Sequence, residues 1–200
     1  MNRRAAIAIL GTLPFALHTQ DKQRERATQA DSFTEAATAV WKWLESLSGQ
    51  LDTFVAKENR AQLADRCHDL NEGIHAVESA KGSLLGTIRN SSGSQKDIES
   101  IRNQAIQILP KLETLRSAVD KVAILLLEKP KQGGKECEEK LTRAVGDRKL
   151  WVASLLSNTD VLTDPQQKAD ILARGSAAVD ALHKASVALA DLTVRLRDGS

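Results

Sequence analysis

Residues 95–126 read QKDIESIRNQAIQILPKLETLRSAVDKVAILL, and this stretch decides the fold class. Its apolar side chains recur at alternating spacings of three and four residues. They are Ile98, Ile101, Ala105, Ile108, Leu112, Leu115, Val119, Val122 and Leu126. This period places them on one face of an α-helix. Pro110 removes one amide donor from that helix, and we predict a kink there rather than an end.

The same spacing recurs in four other segments. The first carries Phe33, Ala37, Val40, Leu44, Leu47, Leu51 and Phe54. The second carries Leu63, Cys67, Leu70, Ile74, Val77, Leu84 and Ile88, with Lys81 interrupting the set. The fourth carries Cys137, Leu141, Ala144, Trp151 and Leu155, with Val145 and Val152 widening the face, and the last carries Ile171, Gly175, Ala178, Leu182, Ala185, Leu189, Leu192 and Leu196. Each set predicts an amphipathic helix, the first of about 25 residues.

Turn signals separate most of these helices. Asn90–Ser94 predicts the end of the second helix, and Lys129–Gly134, which contains Pro and two Gly, predicts a loop before the fourth. Asp164 followed by Pro165 predicts the start of the last helix. Between the first and second helices a change of phase places a turn near Ala56–Arg60, although neither Gly nor Pro marks it. Residues 32–90 are therefore either two helices or one long bent helix.

These patterns predict an all-α fold, an up-and-down bundle of four or five amphipathic helices with heptad-type packing, formed by residues 32–198 as one domain. The alternative is a coiled-coil rod, which the predicted loops disfavour. Aromatic residues make up only 3% of the chain and Tyr is absent. Sandwiches and barrels depend on aromatic and β-branched strands, so an all-β fold is excluded.

The first residues predict export. Arg3 and Arg4 precede an uncharged stretch from Ala5 to Leu17, which is too short for a membrane span of about 20 residues but fits the apolar region of a signal peptide. We predict a signal peptide over residues 1–19 and a polar tether over residues 20–31. The mature protein is then periplasmic or secreted, with no integral membrane span. An uncleaved N-terminal anchor is the alternative.

Charge excludes one class of partner. The full chain has 28 basic and 26 acidic residues. Residues 1–19 contain Arg3 and Arg4 but no acidic residue, so their removal leaves 26 basic and 26 acidic residues and a net charge near zero. Nucleic-acid binding draws its affinity from clustered Lys and Arg that contact phosphates. A mature chain of balanced charge with few aromatic residues is not expected to bind nucleic acid.

The two cysteines are a candidate disulfide. Cys67 lies near the start of the second predicted helix and Cys137 near the start of the fourth, and these helices run parallel in an up-and-down bundle. An exported protein meets an oxidising environment, so we predict a Cys67–Cys137 disulfide. The alternative is two unpaired buried thiols that pack as small apolar side chains.

Metal ligation and catalysis have weaker sequence support. His68, Glu72 and His75, with Asp65 one turn earlier, share one helix face and form a candidate metal site. That face points away from the apolar stripe, which favours a solvated polar surface. No nucleophile motif, phosphate-binding glycine loop or inward carboxylate pair occurs, so the sequence predicts neither an enzyme nor a cofactor.

Two further features suggest binding surfaces. Trp41 and Trp43 flank the first apolar stripe, and with Trp151 they are candidates to line an apolar pocket between helices; the alternative is ordinary core packing. Ser79, Gly82 and Gly86 form a stripe of small residues that would seat a fifth helix or a partner subunit. Asn90-Ser91-Ser92 also matches the acceptor pattern for N-glycosylation.

The sequence therefore predicts an exported, non-enzymatic helical bundle that acts by protein–protein interaction, with another protein or through self-association, as an adaptor, assembly or envelope factor. The alternative is a carrier of a small hydrophobic molecule bound between the helices. A metal-binding bundle is the third hypothesis.

Overall fold

A computed structural model of the chain describes residues 32–49, 54–155 and 160–198. The predicted signal peptide and tether, residues 1–31, lie outside the described residues. Within the described ranges the chain forms helices and no strand, so the all-α fold class is confirmed.

Long helices joined by short connections make up the described chain. They are α1 (residues 32–48), α2 (Arg60–Asn90), α3 (Gln95–Ala123), α4 (Glu128–Ser154) and α5 (Pro165–Asp198), with single helical turns at Lys57–Asn59 and Asp160–Thr163. The first two apolar stripes thus belong to two separate helices. α1 is helical as far as residue 48, with a turn at residue 49, and the rest of the first stripe up to residue 53 lies outside the described residues. α3 continues through Pro110.

Successive helices of the bundle run antiparallel. α2 packs against both α3 and α5, and α3 packs against α4. Thr87, near the end of α2, exchanges hydrogen bonds with Gln104, near the start of α3. Arg116 of α3 forms an ion pair of 2.8 Å with Glu138 of α4. These contacts place α2, α3 and α4 side by side in a helical bundle.

α1 packs against α4 in the opposite direction. Trp43, near the end of α1, donates a hydrogen bond of 2.9 Å from its indole nitrogen to the carbonyl of Pro130 at the start of α4. Phe33, at the start of α1, lies beside Arg148 near the end of α4. α1 therefore runs along the bundle and fills the space next to α4 and α5.

The predicted apolar stripes face one shared core. Each long helix contributes a leucine that is at most 1% exposed, namely Leu44, Leu70, Leu112, Leu141 and Leu189. Burying a leucine side chain stabilises a fold by about 1.5–3 kcal/mol. The bundle is held mainly by these stripes.

Side-chain caps fix the starts of α3 and α5. The hydroxyl of Ser94 accepts a hydrogen bond from the amide of Asp97 at 3.2 Å, directly after Gly93, whose φ of 82° suits glycine. A carboxylate oxygen of Asp164 accepts from the amides of Gln166 and Gln167, at 2.8 and 3.2 Å. The loop at Asn90–Ser94 and the start of the last helix are both confirmed.

The loop predicted at Lys129–Gly134 is wrong, because α4 begins at Glu128 and includes the whole segment. Pro130 lies in the first turn of α4, where an amide would have no helical partner, so it does not break the helix. The connection between α3 and α4 is instead the apolar segment 124–127.

Gly133 and Gly134, at the end of the segment Lys129–Gly134, leave space for the side chain of Trp43. A Cβ at Gly133 would lie 2.8 Å from Cδ1 of Trp43. A Cβ at Gly134 would lie 2.5 Å from Cβ of Ala123 and 3.0 Å from Cζ2 of Trp43. We name Gly133 and Gly134 the glycine notch; it allows the indole to approach the backbone of α4.

Two glycine-to-alanine substitutions are expected to change stability in opposite directions. Gly134→Ala should lower the free energy of unfolding by about 1–3 kcal/mol, because the added methyl overlaps Ala123 and Trp43. Gly82→Ala should raise it by about 0.5–1 kcal/mol, since nothing lies within 4 Å of the new Cβ and alanine favours the helix. Urea unfolding of both variants measures the two changes. A stabilising Gly134→Ala would contradict the close packing of the notch.

Candidate functional site

The predicted disulfide is not formed in the structure. Cys67 and Cys137 are both free and buried, and they do not stand at disulfide distance. A disulfide needs Cα atoms closer than about 7 Å. Cys67 and Cys137 lie on α2 and α4, and α3 packs against both of these helices. Burial raises the pKa of each thiol to about 12, so neither is a thiolate at neutral pH.

The candidate metal residues separate into two groups. His68 pairs with Glu72 at 3.5 Å, and both side chains are about 70% exposed. His75 turns instead toward Glu78, at 3.2 Å, and toward the hydroxyl of Ser186 on α5, at 3.0 Å. In the part of the chain that the structure describes, no group of three or more His, Cys, Asp or Glu side chains is placed to hold a metal ion.

The three tryptophans do not share one pocket. Trp43 is 5% exposed and lies in the glycine notch. Trp41 is half-buried beneath the ammonium group of Lys184 on α5, 4.6 Å from the ring centre. Trp151 lines a cavity that includes neither Trp41 nor Trp43, and that cavity is not purely apolar.

This cavity lies among α1, α2, α4 and α5 and has a volume of about 40 Å³. Its lining residues are Phe33, Lys81, Ile88, Ala144, Arg148, Trp151, Ile171, Arg174 and Gly175. We name it the cation cavity, because Lys81 is only 6% exposed and Arg148 only 8%. Lys and Arg are almost never buried to this extent without a partner.

Aromatic rings are the neighbours that the structure gives these two cations. The ammonium nitrogen of Lys81 lies 4.9 Å from the centre of the Phe33 ring. The guanidinium carbon of Arg148 lies 5.5 Å from the same ring and 4.9 Å from that of Trp151. Neither cation forms an ion pair with any carboxylate among the described residues.

Burial without a counter-charge disfavours the charged form of both groups. It lowers the pKa of Lys81 well below the usual value for lysine, and the nearby positive charge of Arg148 lowers it further. Burial lowers the pKa of Arg148 to about 10. An anion in the cavity would compensate the charge of Arg148 and would favour the protonated, charged form of Lys81.

Sequence reasoning did not identify this cavity, although a signal for it is present. Lys81 interrupts the apolar stripe of α2, and Arg148 lies between Val145 and Val152 on the apolar face of α4. Each is a cation at a core position, which requires a partner. Helix patterns alone do not show that both cations point at the same place.

A second unusual feature lies at the opposite end of the bundle. The connection between α3 and α4 is the four-residue segment Ile124-Leu125-Leu126-Leu127, in which Ile124 is 60% exposed and Leu127 is 50% exposed. The amide of Leu127 donates to the carbonyl of Phe54, which brings the half-buried Phe54 next to the segment. We name Phe54 and residues 124–127 the apolar tip.

Comparisons of the chain with protein-family models, with curated proteins and with solved structures find no match. None of the described helices combines the length and hydropathy needed to cross a membrane.

Proposed function

We propose that this chain is an exported, non-enzymatic helical bundle, with heptad-type packing, that acts through protein–protein contact. Residues 1–19 serve as its signal peptide, and its partner is another protein or a second copy of the chain. The observation that carries the proposal is the apolar tip.

The tip supports this function because connections between helices are normally polar and solvated. Here the connection consists of four consecutive aliphatic residues, and two of them, Ile124 and Leu127, are exposed and only three residues apart. Adjacent exposed apolar side chains mark interaction sites more often than single ones do. Contact with a partner would remove this surface from water.

The experiment compares two paired variants by cross-linking in the native cells. Ile124→Lys with Leu127→Lys places charges on the tip, whereas Leu150→Lys with Val187→Lys places them at residues of similar exposure, 58% and 59%, away from the tip. We expect the tip variant to lose about 90% or more of the cross-linked product, corresponding to at least 1.4 kcal/mol, and the control variant to retain it. Thermal unfolding of both variants verifies that each is folded.

Equal cross-linking by both variants would refute the role of the tip. Absence of any cross-linked product from the unmodified chain would refute the proposed function itself. Turnover of a substrate by the purified protein would do the same.

The two other hypotheses are not favoured at the residues that the sequence suggested for them. An apolar carrier was expected to use Trp41, Trp43 and Trp151 together, and these residues lie in separate environments. A metal-binding bundle was expected to use His68 and His75 together, and these side chains have different partners.

A further inference from the structure

We propose that the cation cavity binds the carboxylate group of a small apolar acid, held by Lys81 and Arg148. This inference does not rest on the proposed function, since the cavity and the apolar tip lie at opposite ends of the bundle.

Charge is the first argument. Two cations that are 6% and 8% exposed face one cavity, and neither has a carboxylate partner among the described residues. A buried charge is strongly destabilising unless a group of opposite charge compensates it. Arg174 also lines the cavity, and α1 contributes the uncharged Phe33. Lys81 and Arg148 therefore favour an anion as the ligand.

Hydrogen-bond geometry favours a carboxylate. The cavity volume is about 40 Å³, and a single water requires about 10–15 Å³, so a small anionic group fits. A guanidinium such as that of Arg148 also pairs with a carboxylate through two parallel hydrogen bonds.

The remaining walls indicate the rest of the ligand. Ile88, Ile171 and the half-buried Trp151 surround the two cations with apolar surface. An apolar chain or ring attached to the carboxylate would extend along these side chains toward solvent. Such a division, a few polar groups within an apolar lining, is typical of small-molecule sites.

The test is calorimetric titration of the full chain with octanoate, 1-octanol and inorganic phosphate as separate probes. We expect octanoate to bind at least about tenfold more tightly than 1-octanol, because the neutral alcohol cannot compensate the cations. We expect phosphate to bind more weakly than octanoate. Tighter binding of phosphate would overturn the assignment to a carboxylate, and equal binding of octanoate and octanol would overturn the role of the charges.

Variants then locate the site. Lys81→Met and Arg148→Met should each weaken octanoate binding by about 10–100-fold, whereas Arg148→Lys, which keeps the charge but loses the paired geometry, should weaken it less. Lys184→Met is the matched control, because Lys184 also lies over a tryptophan ring but outside the cavity. Its octanoate affinity should equal that of the unmodified chain.

Thermal unfolding without ligand distinguishes a binding site from a structural cluster. If Lys81 and Arg148 form an anion-binding site, Lys81→Met removes an uncompensated charge. The variant should then unfold at a higher temperature than the unmodified chain. If Lys81 mainly stabilises the fold through the Phe33 ring, this variant should unfold at a lower temperature, which would overturn the proposal. Equal loss of octanoate affinity in Lys184→Met, or no binding by the unmodified chain, would also overturn it.

Discussion

Trp43→Ala is expected to lower the free energy of unfolding by about 3–5 kcal/mol, as large-to-small aromatic substitutions in cores do. The indole is 5% exposed and fills the glycine notch. The substitution leaves a cavity there and also removes the hydrogen bond of 2.9 Å that the indole donates to the buried Pro130 carbonyl. Urea unfolding followed by circular dichroism measures the loss. Trp41→Ala is the control, and its half-buried ring should give a smaller loss.

A double-mutant cycle with Gly133 tests the cause of this effect. Within 4 Å of a Cβ at Gly133, the nearest three atoms all belong to Trp43. Gly133→Ala should therefore destabilise the unmodified chain but stabilise the Trp43→Ala variant by about 0.5–1 kcal/mol, the helix preference of alanine. Additive effects of the two substitutions would show that the notch and the indole are not coupled.

The notch also shows where sequence reasoning on the fold succeeds and where it fails. The start of the last helix depends on Asp164, which caps an amide two residues away, so local sequence predicts it. The local sequence around Gly133 and Gly134 resembles that of a loop. Their role depends on Trp43, which is distant in sequence and reaches them only after α1 packs against α4.

The cysteines illustrate a different limit. Helical periodicity places Cys67 and Cys137 on apolar faces, and both are indeed buried. It does not specify which neighbouring helix each face meets. The thiol of Cys67 contacts the hydroxyl of Thr193 on α5 and not Cys137 on α4. A disulfide depends on this pairing of helices, so the sequence alone could not establish it.

The same limit explains why the candidate site was missed. The sequence identifies Lys81 as an interruption of an apolar stripe, which is a local observation. The cation cavity exists because Arg148, Trp151 and Phe33 converge on Lys81 from two other helices. Individual helix patterns identify residues that face the core, whereas the site requires the relative rotation of those helices about their axes.

Lys81→Met is expected to raise the free energy of unfolding of the ligand-free chain by about 1–4 kcal/mol near neutral pH. Methionine has a similar volume and removes the charge. The pKa of Lys81 in the folded chain lies well below the value of 10.5 that applies to the unfolded chain. The unfolded state therefore binds more protons than the folded state between these two pKa values, and unfolding becomes less favourable as pH rises through that window.

The stability difference between Lys81→Met and the unmodified chain should consequently shrink with rising pH, by up to about 1.4 kcal/mol per pH unit. Arg148 and Arg174, the other charged residues that line the cavity, are present in both proteins, and the pKa of Arg148 is about 10. Urea unfolding of both proteins between about pH 6 and pH 9 measures the difference before Arg148 titrates appreciably. A stability difference that stays constant or widens across this range would mean that Lys81 keeps its ordinary pKa in the folded chain. The cavity would then lack the uncompensated charge on which the acid-binding site depends.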